Sequence, residues 1–139
     1  MASNVVVPDT RKLDLGRDEY LIVKKRLNAG ERRKHLARMV KDMHPGEHVT
    51  LNPEQVGLSK AVSYLVDWNQ RDPKGDVIQI RGKSVDDVVA ALDSLDPEVY
   101  DAIIKAIDAH EDAMDAEREK EKNAQAGETP SSAISELPA

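Results

Sequence analysis

A chain of 139 residues has room for one modest hydrophobic core and loose ends, but not for two cores. Its 26 acidic against 20 basic residues give a formal charge of −6, which argues against general nucleic-acid binding. Cysteine is missing altogether, which excludes disulfides, thiolate catalysis and cysteine zinc sites together and suits a reducing cytoplasm.

Residues 1–17 mix polar groups with Pro8 and Gly16 and read as a flexible lead-in. Their one apolar cluster, Val5-Val6-Val7, is too short for the apolar region of a secretory signal, and no basic segment precedes it. No apolar run approaches the roughly 18 residues that crossing a bilayer takes, so no membrane association is expected. Tyr20-Leu21-Ile22-Val23 is β-prone and ends in Lys24, Lys25 and Arg26, which predicts a strand. Asn28-Ala29-Gly30-Glu31 predicts a helix start, with Asn28 accepting from an orphan N–H and Glu31 reaching back. Leu36, Met39, Val40 and Met43 follow as one apolar stripe, and Pro45-Gly46 should stop the helix near His44.

Asn52-Pro53-Glu54-Gln55 repeats the signal: Asn52 caps, Pro53 takes the first helical position and Gln55 completes a box. Val56, Ala61, Val62, Leu65, Val66 and Trp68 should line this helix, the most buried one. The aromatic set is only Tyr20, Tyr64, Trp68 and Tyr100, so the core has to be aliphatic. After a turn at Asp72-Pro73-Lys74-Gly75, the run Val77, Ile78, Ile80 is extended and is expected to pair with residues 20–26 as a ribbon lying on the helices. Ser84 caps a short helix with Asp86 and Asp87 at its positive end and Val88, Val89 and Leu92 inward. Asp96-Pro97-Glu98 opens the last helix, striped by Val99, Ile103, Ile104 and Ile107 and extended by His110 and Met114. Residues 115–122 are almost wholly charged and carry the helix into solvent, and 123–139 read as a disordered tail.

The expected fold class is therefore mainly α: a small bundle of about four helices with a minor two-stranded β-ribbon. The expected organisation is a flexible lead-in (1–17), a helical domain (18–122) and a disordered C-terminal tail (123–139). Val62, Leu65, Trp68, Leu92, Ile103 and Ile107 are the expected core.

Three clusters invite a chemical reading. His44-Pro45-Gly46-Glu47-His48 offers two imidazoles and a carboxylate, but zinc sites need three or four ligands held in register, and a Pro-Gly segment reads as a polar connection. Asp108, Glu111, Asp112 and Asp115 share a helical face beside His110. No nucleophile, phosphate loop or cofactor fingerprint accompanies them, so no catalytic residue, metal or cofactor is expected. Between Lys24 and Lys41 the only acid is Glu31, whereas 86–121 is strongly acidic; such a polarised chain can attract a charged partner or its own copy head to tail. A helix–turn–helix would need a tighter connection and a less apolar second helix, which weighs against DNA. The candidate partner-binding residues are Arg32, Arg33 and Arg38 on the basic face and Met114, an adaptable side chain placed where the apolar pattern fades.

An ordered set of segments resembles the tail assembly chaperones of long-tailed bacteriophages (siphophages). It runs through Leu27-Asn28-Ala29-Gly30-Glu31-Arg32-Arg33, Glu54-Gln55-Val56-Gly57 and Tyr64-Leu65-Val66-Asp67-Trp68. It continues through Ala91-Leu92-Asp93-Ser94-Leu95-Asp96-Pro97-Glu98-Val99-Tyr100, Ile107-Asp108-Ala109-His110-Glu111 and Glu117-Arg118-Glu119-Lys120-Glu121-Lys122-Asn123. The likeness spans about residues 18–123, and the stretch Lys24–Lys41 is more basic than the family pattern. It implies a non-enzymatic protein of the host cytoplasm that binds the tape measure protein, keeps its apolar helices from aggregating and helps recruit tail tube subunits. It also implies absence from the finished particle and a frameshifted longer form extended beyond the C-terminal end. A structural tail or head–tail connector subunit and a small DNA-binding regulator using residues 24–41 are the competing expectations.

Overall fold

The computed structural model describes residues 4–40 and 52–126. Among them, the chain order is β1 (Thr10–Gly16), β2 (Glu19–Lys24), α1 (Ala29–Met39), α2 (Pro53–Tyr64), β3 (Leu65–Trp68), α3 (Val85–Asp93) and α4 (Pro97–Ala126). The strands form one antiparallel sheet in the order β1-β2-β3. This corrects the expected class: the sheet has three strands, and two of them come from segments read otherwise.

The first is β1, in the expected lead-in. Leu13 and Leu15 alternate with Lys12 and Asp14 and turn toward the core, and Leu13 lies opposite Leu21. A two-residue turn joins β1 to β2, with Arg17 and Asp18 both at positive φ (54° and 63°). That backbone matches the right-handed twist of a hairpin, and Asp tolerates it better than most residues. Asn69 fastens the turn to the end of β3: its Oδ1 accepts from the Tyr20 N–H at 2.9 Å, and its Nδ2 donates to the Asp18 carbonyl at 2.7 Å.

The second is β3, taken above as the end of the α2 helix. The helix stops at Tyr64, and Leu65 is extended (φ −70°, ψ 125°). Leu65-Val66-Asp67-Trp68 is rich in residues that suit a pleated surface, and pairing with β2 (Leu21 with Trp68, Val23 with Leu65) overrides the helical pattern before it. The run Val77–Ile80 consequently does not pair with 20–26. It returns along the loop after β3, where Ile78 N–H donates to the Gln70 carbonyl at 2.8 Å and the Trp68 indole N–H donates to the Ile78 carbonyl at 2.8 Å.

The caps of α1, α2 and α3 follow the sequence. Asn28 and Glu31 exchange side chain-to-backbone hydrogen bonds at 2.8 and 3.0 Å, Asn52 accepts from Glu54 N–H at 2.9 Å, and Ser84 accepts from Asp87 N–H at 3.2 Å. Gln55 departs from its expected role: its amide donates to the Arg38 carbonyl at 3.0 Å, tying α2 to the end of α1. The stripe on α1 also differs. Leu36 and Val40 are 45% and 40% exposed, and the residue α1 buries is His35. The expected stop near His44, Met43 and the His44–His48 cluster lie outside the described residues, as does the expected tail from 127 onward, whereas its first residues, 123–126, continue α4.

The core lies where the sheet meets α2, α3 and α4. Leu21 and Val23 of the central strand are fully buried with Ile103 and Ile107 of α4, joined by Leu65, Trp68, Ile80, Val88 and Leu92. Val62 is the one expected core residue left partly exposed, packed against this cluster from its edge. Helix α4 has 30 residues, a length of about 45 Å. Its inward positions end at the buried Met114, and residues 115–124 are exposed.

Leu21→Ala should destabilise the protein by about 2–5 kcal/mol, because the strand pair around it cannot close the cavity. Val85→Ala, at a position 42% exposed, should cost no more than about 0.5 kcal/mol. Urea unfolding followed by Trp68 fluorescence measures both.

Candidate partner-binding groove

Helices α1 and α2 meet through polar groups. The Ser59 hydroxyl donates to the His35 carbonyl at 2.9 Å while lying 2.8 Å from His35 Nδ1. Since the hydroxyl proton is committed, Nδ1 carries the imidazole proton and donates. One turn further on, Arg38 Nη1 donates to Ser63 Oγ at 2.9 Å, and Ser63 donates to the Ser59 carbonyl at 2.7 Å. The spacing 35, 38 on α1 against 55, 59, 63 on α2 places these groups on facing turns. Burial holds the His35 pKa below its ordinary value of 6.5; Glu111 opposes this, and Lys60 and Arg38 reinforce it.

A second network joins α2 to α4. Lys60 Nζ reaches Asp108 Oδ1 at 2.7 Å and Glu111 Oε1 at 3.0 Å, and the Tyr64 hydroxyl donates to Glu111 Oε2 at 3.0 Å. Burial alone would lower the Lys60 pKa, but the two carboxylates together raise it. Burial, and then the Glu111 charge, push the Tyr64 phenol well above its usual range. His110 is buried edge-on to Tyr64, with ring centroids 5.9 Å apart, and its Nε2–H donates to the Lys24 carbonyl at 2.9 Å. The acidic face beside His110 is thus divided: Asp108 and Glu111 bind Lys60, Asp112 and Asp115 face solvent, and His110 turns inward. Among the described residues, no three His, Cys, Asp or Glu side chains are grouped to hold a metal ion.

These contacts set α1 and the outer half of α4 on either side of an open groove of about 920 Å³. Leu27, His35, Leu36, Tyr64 and Met114 supply its floor. Arg26 and Arg32 stand on one side, facing Glu117 and Glu121 of α4, with Arg26 Nη2 3.9 Å from Glu121 Oε2. Val5, Val6 and Val7 of the N-terminal segment also line it. A smaller cleft of about 590 Å³ lies between α2 and α4, over Gly57, Tyr100 and Ile104. There the helices approach so closely that a Cβ on Gly57 would come within 3.3 Å of Ile104.

Of the residues singled out from sequence, Arg32 and Met114 come together in the groove, with Met114 buried at its base. Arg33 is exposed and does not line it, and Arg38 is half-buried in its bond to Ser63. Helix α2 is packed between α1 and α4. The groove residues that sequence reasoning missed include Val5–Val7, Leu27, His35, Leu36 and Tyr64. The valine triplet, alone in a polar N-terminus, is the signal the sequence offers for this segment. No protein-family model matches the chain, and no curated protein or solved structure matches it.

The His35 clamp makes stability depend on pH. With the folded pKa below the unfolded value of 6.5, the unfolded chain binds the proton more readily. The contribution is complete above pH 6.5 and is lost as pH falls through the folded pKa. Urea midpoints measured between pH 7.5 and 5 should therefore decline on acidification, and His35→Gln should flatten that decline while lowering stability at pH 7.5.

Proposed function

We propose that this chain is a non-catalytic tail assembly chaperone of long-tailed bacteriophages, acting in the host cytoplasm to hold the tape measure protein and help recruit tail tube subunits. The single structural observation that carries the reading is the groove between α1 and α4. It combines a mixed floor of Leu27, His35, Leu36, Tyr64 and Met114, in which Leu36 remains 45% exposed, with charged walls of both signs. A floor of this kind suits the apolar stripe of an amphipathic helix, the form a long helical client would present. The mixed rim keeps such a complex hydrated.

The ordered resemblance over residues 18–123 is the ground for naming this client, and the groove supports the reading that the chain binds another protein. Among the described residues no helix is long and apolar enough to cross a membrane, which is compatible with this role. The charged outer turns of α4, exposed from 115 to 124, form one wall of this groove through Asp115, Glu117, Arg118 and Glu121.

Co-expression tests the proposal. The tape measure protein should be several-fold more soluble with this chain than without it, and Leu36→Asp, at a half-exposed position, should abolish most of the gain without unfolding the protein. Equal insolubility with and without the chain overturns the reading. Abundant, stoichiometric peptides of this chain in purified particles would instead make it a structural tail component.

A further inference from the structure

Strand β1 ends the sheet: β2 lies on one side of it, and among the described residues no strand lies on the other. Two hydrogen bonds fix which of its main-chain groups face that open side. Lys25 N–H donates to the Asp9 carbonyl at 2.9 Å, in the register that sets Thr10 opposite Lys24, so the bonded positions facing β2 are Asp9, Arg11 and Leu13. Tyr20, opposite Asp14, turns its N–H away from β1 to Asn69 Oδ1. The N–H and C=O groups of Lys12 and Asp14 therefore point outward. The donors on either side of them are closed by the chain's own carboxylates: Thr10 N–H donates to Asp9 Oδ1 and Gly16 N–H to Asp14 Oδ1, each at 2.8 Å. The donors left open on this edge are those of Lys12 and Asp14, beside their own two carbonyls.

We infer that this edge pairs with the same edge of a second copy, antiparallel about a two-fold axis between the two Leu13 residues, so that Lys12 of each copy lies opposite Asp14 of the other. In that register each Lys12–Asp14 pair exchanges two main-chain bonds, four in all, which uses both open donors of each copy. The two side chains of a pair stand on one face, directly across from each other, where opposite charges attract. Lys12 already lies over the Tyr20 ring on that face, 4.5 Å from its centroid. The nearest registers that keep the same groups facing set Lys12 against Lys12 or Asp14 against Asp14, and like charges so placed repel. Charged side chains on an open edge keep foreign strands away, and this pattern admits one register of its own kind. On the core face Leu13 meets Leu13 at the closer cross-strand spacing, about 4.5 Å between Cα atoms. The axis runs perpendicular to the sheet, so both copies carry their helices on the same side. The pairing does not depend on the chaperone reading; where that reading holds, the dimer presents two α1–α4 grooves to one client.

Sedimentation equilibrium on the full-length chain tests the pairing. The mass should rise with concentration from 15.4 kDa toward twice that value and no further. Lys12→Glu sets like charges together at both pairs and should weaken the dimer about tenfold. The double variant Lys12→Asp/Asp14→Lys exchanges the signs and, with Trp68 emission unchanged as the sign of a folded chain, should restore it. Amide hydrogen exchange on the parent needs no variant. The Lys12 and Asp14 amides should exchange fast when dilute and slowly when concentrated, while those of Arg11 and Leu13, bonded to β2, stay slow at both concentrations. A chain that stays monomeric at its highest soluble concentration, a dimer indifferent to Lys12→Glu, or Lys12 and Asp14 amides that exchange alike at both concentrations overturns the inference. Growth beyond the dimer overturns it too, because it marks head-to-tail contact between the basic and acidic parts of the chain.

Discussion

The structure depends on the alternation of β2. Leu21 and Val23 point to one face of the central strand and are fully buried there against Ile103 and Ile107 of α4. Because side chains on a strand alternate, a slip of one residue in register would turn both away from the core. The hairpin turn at Arg17-Asp18 sets the register on one side, and Asn69, bridging Tyr20 and Asp18, sets it on the other. Everything that frames the groove is carried by this arrangement. Lys24, at the end of β2, pairs with Glu31 at the cap of α1, and its carbonyl receives His110 from α4. One strand end thus fixes the positions of both helices that flank the groove.

The helices around that groove are joined by polar groups where an aliphatic seam would be the simpler solution. Two serines on α2 let α1 approach closely, and each serine is satisfied as both donor and acceptor. A buried, fully bonded network of this kind fixes one rotation of α1 about its axis, because any other rotation leaves donors unpaired. The rotation chosen buries His35 and turns Leu36 and Val40 outward. The apolar surface of the groove therefore follows from the same hydrogen bonds that hold the helix in place. Lys60, held by Asp108 and Glu111, does the equivalent for α4 and leaves Tyr64 and Met114 at the base.

Much of the helical framework was legible in the sequence because caps are local. Asn28, Asn52 and Ser84 act within three residues of themselves, and the stripe from Val99 to Met114 keeps one period over four turns. The sheet was less legible because its evidence is non-local. Leu65–Trp68 continues a helical pattern and becomes a strand only because β2 lies alongside it. Residues 10–16 carry only two inward leucines, too few to stand out from a polar lead-in, although Gly16-Arg17-Asp18 was a turn signal within reach. On α1, hydrophobicity pointed to Leu36 and Val40 as the inner face, whereas partners 24 and 25 residues away in sequence decided it through His35 and Arg38. Of the groove, Arg32 and Met114 were found from charge and from a fading stripe. Tyr64 and the valine triplet needed the three-dimensional arrangement.

The central claim is that the surface between α1 and α4, carried by β2 and its neighbours, is where this chain holds another. Amide hydrogen exchange on the chain alone and in complex with the tape measure protein measures this directly. The account expects slower exchange confined to the groove-lining segments around 27–36 and 111–121, with the α2–α4 cleft around 53–57 and 98–105 unchanged. Protection centred on that cleft, or complex formation with no change at either groove-lining segment, would contradict it.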